Sequence, residues 1–339
     1  MGATPRFPVS DHCDGARFFN PPGQPQARSF FALPRWWWEQ NFLRRGTPWP
    51  RQLPAPPKPV WPSTVAPESV AVTFIGHATF LLQFAGVTVL TDPVFSQCVG
   101  PFGRLGPRRV RPAALALAEL PAIDIVLVTH NHYDHLDLPS LRWLARERRP
   151  LLVTTLGNQR WLEKRGVGNV VELDWWQAHA CGAAADLEIT CTPAQHFAAR
   201  SPWDRCRSLW GGFHLRTPRG AVYFCGDSGW GPHFAEIRAR LGAPALALLP
   251  VGAYEPRWFM APVHVNPEEA VRAHLALGAR RSMGMHFGAF QLTDEGIDAP
   301  VRDLAIARDK YGVGAEEFAT LDGGETSVTP LASGGVSGV

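Results

Sequence analysis

The sequence predicts an α/β fold in which two β-sheets pack face to face and helices cover the outside. Short runs rich in Val, Ile and Leu, such as residues 123–129, are too short and too β-branched for helices and are typical of buried strands. Segments with helical periodicity alternate with such runs in the later part of the chain. Several strands are followed directly by His or Asp, at the sheet edge where α/β folds usually place binding groups.

The individual elements follow from these patterns in chain order. Strands are predicted over residues 70–75, 79–84 and 87–91, with a tight turn at Gly86. Helices that alternate with later strands are predicted over residues 113–119, 138–146, 158–165, 232–241, 267–277 and 301–311. The clearest helix start has Asn266 as its cap, Pro267 in its first turn and Glu269 three residues after the cap.

Residues 1–67 differ in composition from the rest of the chain and are predicted to form an N-terminal arm. They hold 14 of the 32 prolines, a density that excludes long helices and supplies few donors to a sheet. They also hold many aromatic residues, including three consecutive tryptophans at 36–38, which argue against simple disorder. We expect an irregular arm packed on a domain of residues 68–325, followed by a C-terminal tail at 326–339. Contact between part of the arm and lipid stays open, because Trp favours the membrane boundary.

Composition indicates a well-buried globular protein, with 45% hydrophobic and 19% charged residues. A formal net charge of +3 is too small to indicate a nucleic-acid surface, so no nucleic-acid partner is expected. The six cysteines are scattered without a Cys-x-x-Cys pair, which is typical of free thiols in a reducing compartment. With no signal peptide and no long apolar run, we expect a cytoplasmic protein, peripheral to the membrane at most. A homodimer stays open.

The segment 130–135, directly after the strand at 123–129, carries the strongest functional signal. It contains His130, His132, Asp134 and His135. Neutral imidazole nitrogens and carboxylate oxygens together suit Zn²⁺ or a similar first-row divalent ion. A polar turn is the plain alternative, but the full pattern is much rarer by chance than a single His-x-His pair. We therefore interpret the segment as part of a metal site.

Three further candidate ligands, His196, Asp227 and His286, stand at the ends of predicted strands. Each one alone could be a capping or turn residue. Together with the four earlier residues they supply seven ligands, enough for two metal ions. The remaining histidines that lack this setting are predicted to be ordinary surface or packed residues: His12, His179, His214, His233 and His274.

These motifs resemble those of the metallo-β-lactamase superfamily, and most closely those of the branch of N-acylphosphatidylethanolamine-hydrolysing phospholipase D. Stretches similar to that branch occur in the same order at residues 76–79, 91–95, 130–138, 209–212, 226–228, 252–257 and 264–270. The resemblance implies a four-layer αββα sandwich. It also implies a binuclear centre of two Zn²⁺ ions, with Fe or Mn as open alternatives. One ion would be held by His130, His132 and His196, the other by Asp134, His135 and His286, with Asp227 bridging the two.

The same resemblance implies a metal-dependent phosphodiesterase with phospholipase D-like activity. Its substrate would be N-acylphosphatidylethanolamine, a related phospholipid or another small phosphodiester. Asp134 and His264 would be the catalytic residues, with His264 facing the phosphodiester and protonating the leaving oxygen. Tyr133 would bind substrate through its hydroxyl group. His77 and Asp92 are expected to orient ligand imidazoles without being catalytic.

Other interpretations remain for the same residues. A lactone, amide or thioester hydrolase would use the same metal site and differ only in its substrate cavity. A tRNA-processing nuclease lacks support because no basic protruding arm is evident, and a di-iron oxidoreductase would tend to have Glu where His132 stands. A non-enzymatic scaffold is disfavoured because all seven ligands are present. The arginines at 104, 108, 109 and 111 either receive a phosphate or form a solvated loop.

Overall fold

The computed structural model describes residues 6–43, 46–181 and 186–332, and two seven-stranded sheets form its centre. The strands are β1 (Ser69–Gly76), β2 (Thr79–Phe84), β3 (Val87–Thr91), β4 (Ile125–Val128), β5 (Leu151–Thr155), β6 (Val170–Leu173), β7 (Ala178–Ala180), β8 (Glu188–Thr192), β9 (Gly212–Thr217), β10 (Gly220–Phe224), β11 (Leu246–Pro250), β12 (Arg281–Met285), β13 (Phe318–Thr320) and β14 (Thr326–Pro330). The α-helices are α1 (Leu33–Phe42), α2 (Leu138–Glu147), α3 (Gln159–Glu163), α4 (His233–Leu241), α5 (Arg257–Met260), α6 (Pro267–Leu277) and α7 (Ala299–Tyr311).

Each sheet is antiparallel at one end and parallel at the other. The first sheet has the order β14-β1-β2-β3-β4-β5-β6, and the pairs from β3 to β6 are parallel. The second has the order β13-β12-β11-β10-β9-β8-β7, and the pairs from β10 to β13 are parallel. Parallel neighbours end at the same edge of a sheet. Residues that follow β3 and β4 therefore share one edge of the first sheet, and residues that follow β10 and β12 share one edge of the second.

Alternation along the strands separates the buried side chains into two cores. In β2, Phe80 and Leu82 belong to the core shared by the two sheets, whereas Leu81 points into the core beneath α2. This is the period-two pattern of strands that are covered on both faces. Helices α4, α6 and α7 cover the second sheet, where Phe234, Leu277 and Leu304 join its buried residues. The predicted αββα sandwich is confirmed.

The predicted strands β1 to β3 and the predicted helices that became α2, α3, α4, α6 and α7 are present with small shifts of their ends. Helix α6 begins with the predicted capping box, in which Asn266 accepts from the Glu269 amide and the Glu269 side chain accepts from the Asn266 amide. The predicted helix at 113–119 is wrong, since only Leu117–Glu119 forms a short 3₁₀ turn. The Ala114 amide instead donates to the Ile75 carbonyl at 3.0 Å, which holds this segment extended beside β1.

The predicted start of a C-terminal tail at residue 326 is also corrected. Residues Thr326–Pro330 form β14, which pairs antiparallel with β1 at the edge of the first sheet. The last part of the predicted tail, residues 333–339, lies outside the described residues.

The N-terminal region runs along the domain and contains a helix that the sequence did not predict. Helix α1 has ten residues and takes Pro34 into its first turn, where proline is tolerated. Several contacts connect the region to the domain: the Trp49 indole donates to the Glu295 carbonyl at 2.8 Å, and the Leu53 amide donates to the Val110 carbonyl at 2.8 Å. In the part of the chain that the structure describes, none of the helices has the length and apolarity needed to cross a membrane.

Candidate metal centre

The seven predicted metal ligands come together at the edge of the sandwich where the parallel strands end. His130 to His135 occupy the loop between β4 and α2, His196 follows β8, and Asp227 and His286 follow β10 and β12. Gly226 allows the chain to pass close to Thr129 just before Asp227. Its φ is +64°, and an added Cβ would lie 2.8 Å from Thr129 side-chain atoms. Only glycine fits this combination of a left-handed backbone and a close neighbour.

A first cluster consists of His130, His132, His196 and Asp227, whose ligand atoms all lie within 4.8 Å of one another. Nδ1 of His132 is 2.9 Å from Nε2 of His130 and 3.2 Å from Nε2 of His196. Burial lowers the pKa of His132 to about 3 and that of His196 to about 4, and it lowers the pKa of His130 well below its ordinary value. The three rings are therefore neutral at pH 7 and present nitrogen lone pairs.

A second cluster contains His77, Asp134, His135 and His286. Nε2 of His286 lies 3.2 Å from a carboxylate oxygen of Asp134 and 3.2 Å from one of Asp227. Burial lowers the pKa of His286, but the carboxylates of Asp227 and Asp134 outweigh it and raise this pKa to about 9. The same opposition raises the pKa of His135 well above its ordinary value. The carboxylates of Asp134 and Asp227 therefore strongly favour a positive charge next to them.

Asp227 connects the two clusters through one oxygen atom. Its Oδ2 is 3.1 Å from Nε2 of His135, 3.2 Å from Nε2 of His286, and 3.8 Å from Nε2 of both His130 and His196. The Asp227 side chain is almost fully buried, and its Oδ1 has no hydrogen-bond partner among the described residues. A buried carboxylate is costly unless a cation compensates it. The donor set of imidazoles and carboxylates fits a bound divalent metal, because first-row ions of this kind prefer these ligands.

Groups behind the ligands fix their orientation. Asp92 accepts from Nδ1 of His135 at 2.6 Å and from the Thr129 hydroxyl at 2.7 Å, as predicted for a residue that orients a ligand imidazole. His77 also contacts a candidate ligand, but it is a carboxylate rather than an imidazole: its Nε2 lies 3.1 Å from Asp134. Nδ1 of His196 donates to the Val263 carbonyl at 2.9 Å, which leaves Nε2 free to bind a metal. No pattern in the sequence predicts this backbone acceptor.

His264 lies beside the clusters and lines a cavity of about 260 Å³ that opens onto them. Its Nε2 is 3.9 Å from Asp227 Oδ2, and its ring centroid is 5.0 Å from that of His196. Burial lowers the pKa of His264 well below its ordinary value, so the ring is neutral. With Asp227 and His286 it also forms a third group of ligand atoms within 4.8 Å. The structure therefore places His264 where it can contact either a substrate or a metal.

The wall of this cavity is apolar on one side and carries two arginines. Its apolar lining includes Trp36, Phe197, Phe259, Met260 and Leu292, and its arginines are Arg28 and Arg205. Trp36 stacks on Phe259 with ring centroids 5.2 Å apart, so the N-terminal region supplies part of the wall. Phe259 thus joins the cavity wall from the second half of the chain.

Tyr133, the predicted substrate-binding residue of the ligand loop, does not line this cavity. Its hydroxyl donates to the Arg200 carbonyl at 3.2 Å, and the Arg200 guanidinium lies over its ring. Tyr133 lines a different groove, next to Phe102 and Trp161. The contact of Tyr133 with substrate stays a prediction, and in this structure its side chain packs against Arg200.

Among the arginines of the predicted basic loop at 104–111, Arg109 is buried and is therefore not part of a solvated loop. Arg109 donates to the Val94 carbonyl and lies over the Phe290 ring.

Comparison with known proteins agrees with this geometry. A family model described as the β-lactamase superfamily domain matches residues 87–287. The chain therefore belongs to the metallo-β-lactamase superfamily, whose members include metal-dependent hydrolases, and it resembles the branch of N-acylphosphatidylethanolamine-hydrolysing phospholipase D.

Three similar proteins illustrate this membership. A Caenorhabditis elegans protein named N-acyl-phosphatidylethanolamine-hydrolyzing phospholipase D 1 is 36% identical over 265 residues, which cover 75% of this chain and 74% of that protein. An uncharacterized protein of Mycobacterium tuberculosis is 39% identical over 243 residues, which cover 70% of this chain but only 64% of that relative's length. The structure of a metallo hydrolase from Ignicoccus hospitalis matches with a TM-score of 0.58 at 21% identity, covering 77% of this chain and 98% of that one, and shows the fold alone.

Proposed function

We propose that the protein hydrolyses a phosphodiester bond with two divalent metal ions, in the manner of a phospholipase D. Its substrate in this proposal is N-acylphosphatidylethanolamine or a related phospholipid. The observation that carries the proposal is the position of Asp227, whose Oδ2 lies within 3.8 Å of imidazole nitrogens from both clusters. A carboxylate shared in this way is suited to bridge two ions.

In this proposal the ions are zinc, and the ligands divide as the clusters do. His130, His132 and His196 would hold one ion, and Asp134, His135 and His286 would hold the other, with Asp227 shared by both. His77, the remaining member of the second cluster, would orient Asp134. Two ions close together lower the pKa of bridging water toward neutrality and bind a phosphoryl oxygen. Two divalent ions would carry four positive charges, and the negative charges of Asp134, Asp227 and one hydroxide would offset three of them. The centre would therefore keep a net charge of about +1. Such a centre attracts an anionic diester more strongly than a neutral ester.

The residues of the cavity would bind and orient the diester. Arg28 and Arg205 place positive charge on the wall, which favours an anionic group. Trp36, Phe259 and Met260 offer apolar surface for an acyl chain. Because the His264 ring is neutral, we propose that its N–H donates a hydrogen bond to a phosphoryl or leaving oxygen, rather than acting as an imidazolium acid. The name of the C. elegans relative, an N-acyl-phosphatidylethanolamine-hydrolyzing phospholipase D, supports the same substrate class.

Turnover of a panel of substrates tests the proposal. Zinc-loaded protein should hydrolyse bis(p-nitrophenyl) phosphate and release phosphatidic acid from N-acylphosphatidylethanolamine, faster than it opens a simple lactone or cleaves a thioester. Asp227→Asn should lose both turnover and part of the bound metal, whereas Asp124→Asn, at the far end of β4, should keep both. Preference for the lactone or thioester, or full activity of Asp227→Asn, would contradict the proposal.

A further inference from the structure

Helix α1 turns polar, hydrogen-bonded side chains toward the protein and aromatic side chains toward solvent. The side chains of Trp36, Glu39 and Gln40 face the protein: the Trp36 indole donates to Asp294 at 3.1 Å, the Trp258 indole donates to Glu39 at 3.1 Å, and Gln40 also donates to Asp294. Glu39 is buried. A surface helix of a water-soluble domain normally turns its polar side chains outward and its apolar ones toward the core. Here the inner face is polar and already hydrogen-bonded.

The outer face of the same helix is aromatic. Trp37 is 60% exposed, Trp38 50% and Phe42 64%, and Phe31 just before the helix is also exposed. Their rings contact each other: the Phe42 centroid is 5.9 Å from that of Trp37 and 6.2 Å from that of Trp38. We call Phe31, Trp37, Trp38 and Phe42 the aromatic patch. A contiguous exposed apolar patch of this kind marks an interaction site, unlike isolated exposed side chains.

Positive charge accompanies the aromatic patch. Arg28 and Arg35 are exposed beside it, and Glu39, the one acidic residue between positions 28 and 43, is buried with Arg35 bonded to it. Because Glu39 offsets Arg35, residues 28–43 carry a net positive charge that comes from Arg28. Tryptophan beside arginine is typical of segments that lie at the boundary of an anionic bilayer, since the ring enters the headgroup region while the cation meets phosphate.

The helix that carries the aromatic patch also contributes to the cavity at the metal clusters. Trp36, from the same helix, and Arg28 both line that cavity, and the Trp36 ring stacks on Phe259 within it. A bilayer seated on the patch would thus lie next to the cavity entrance. A lipid could then move into the cavity while its acyl chains stayed close to apolar surroundings.

We propose that α1 docks the protein on an anionic phospholipid bilayer through Trp37, Trp38 and Phe42, beside the entrance to the metal-site cavity. This inference rests on the proposed function for its purpose, because docking serves a lipid substrate. The docking itself depends only on the exposed side chains of α1 and can be measured without turnover.

Vesicle sedimentation tests the docking with lipids that are not the proposed substrate. Zinc-loaded protein is mixed with vesicles of phosphatidylcholine, alone or with phosphatidylglycerol. The triple variant Trp37→Ser, Trp38→Ser, Phe42→Ser is compared with a matched control, Phe102→Ser and Trp203→Ser, whose side chains are 85% and 78% exposed elsewhere on the surface. We expect wild type and control to bind the anionic vesicles equally, and the triple variant to bind at least about tenfold more weakly. Added salt should weaken the wild-type binding.

Turnover of bis(p-nitrophenyl) phosphate and circular dichroism accompany the binding assay. The triple variant should keep the wild-type spectrum and the wild-type rate on this soluble diester, because its changed residues do not line the cavity. Wild type that fails to sediment with anionic vesicles, or a triple variant that binds them as well as the control, would overturn the proposal. The proposal would also be overturned if the wild type is a dimer that does not bind vesicles and the triple variant is a monomer, because the patch would then join two copies of the chain. Vesicle binding without diester hydrolysis would leave docking intact and refute the proposed function alone.

Discussion

Replacing Asp92 by asparagine tests whether groups behind the ligands set the affinity for metal. Oδ2 of Asp92 accepts from His135 Nδ1 at 2.6 Å and from the Thr129 hydroxyl at 2.7 Å, while Oδ1 accepts from the Thr129 amide at 2.8 Å. All three partners are donors. An asparagine side chain has one acceptor oxygen, so its amide group must face at least one of these donors.

The expected cost follows from the bond that is lost. A hydrogen bond to a charged group contributes about 1.5–3 kcal/mol, and about 1.4 kcal/mol corresponds to a tenfold change in an equilibrium constant. Asp92→Asn should therefore weaken metal binding by about 10- to 100-fold, the range usual for groups that orient a metal-ligating imidazole. Metal binding weakens because the His135 ring loses both its fixed orientation and part of its basicity.

Competition with a chromophoric chelator measures the affinity, and metal analysis of dialysed protein measures occupancy. Asp124→Asn is the matched control, because Asp124 accepts from the Thr88 amide at 2.8 Å at the opposite end of β4. Its affinity for metal should equal that of the wild type. If Asp92→Asn binds metal within twofold of the wild type while retaining its folded spectrum, the reasoning about the oriented imidazole is refuted.

Four further predictions concern the same centre and its surroundings. His286 in metal-free protein has a pKa raised from 6.5 to about 9, so metal must displace its proton; calorimetry in buffers of different ionisation enthalpy should show proton release at pH 7, and affinity should rise with pH up to about 9 and then level off. Protonated His286 stabilises the metal-free fold fully below pH 6.5 and loses this contribution as pH rises through about 9, so the Tm of chelator-treated protein should fall across that window, and a Tm that rises there would contradict the assignment. Gly226→Ala should destabilise the protein by about 1–3 kcal/mol in urea unfolding, because its φ of +64° and the 2.8 Å approach to Thr129 disfavour a Cβ, whereas Gly166→Ala, with φ +82° and nothing within 4 Å, should cost less. His264→Ala should lower kcat on the soluble diester by about 100-fold or more while leaving the metal content unchanged; loss of metal instead would make His264 a ligand.

Much of the sandwich was predictable because its strands are short, β-branched and covered on both faces. The positions of Asp227 and His286 were predictable for a related reason, because the parallel strands β10 to β12 end at a common edge of the second sheet. Asp92 and His130 likewise follow the parallel neighbours β3 and β4 of the first sheet. That these two edges meet depends on how the sheets pack. The orienting role of Asp92 followed from the same position at the end of β3.

The features that the sequence did not predict depend on tertiary contacts. Residues 113–119 have helical composition, but the Ala114 amide bonds to Ile75, and a bond to a neighbouring strand outweighs local propensity. Thr326–Pro330 has no strong strand signal of its own and becomes β14 by pairing with β1. Trp36 reaches the cavity from a segment more than 200 positions before Phe259, on which it stacks, and no local pattern reveals that approach. Tyr133 lies among the candidate ligands in sequence, yet its side chain turns to Arg200.

The division of the ligands between two sheets has a consequence for how the protein is made. The residues from 130 to 135 leave the ribosome long before His286, and the second sheet must assemble before His196, Asp227 and His286 can face them. A nascent chain can offer no more than an incomplete set of donors until nearly all of it has been synthesised. The full set of candidate ligands therefore exists only after residue 286 has been added, and a product truncated before that point would lack His286.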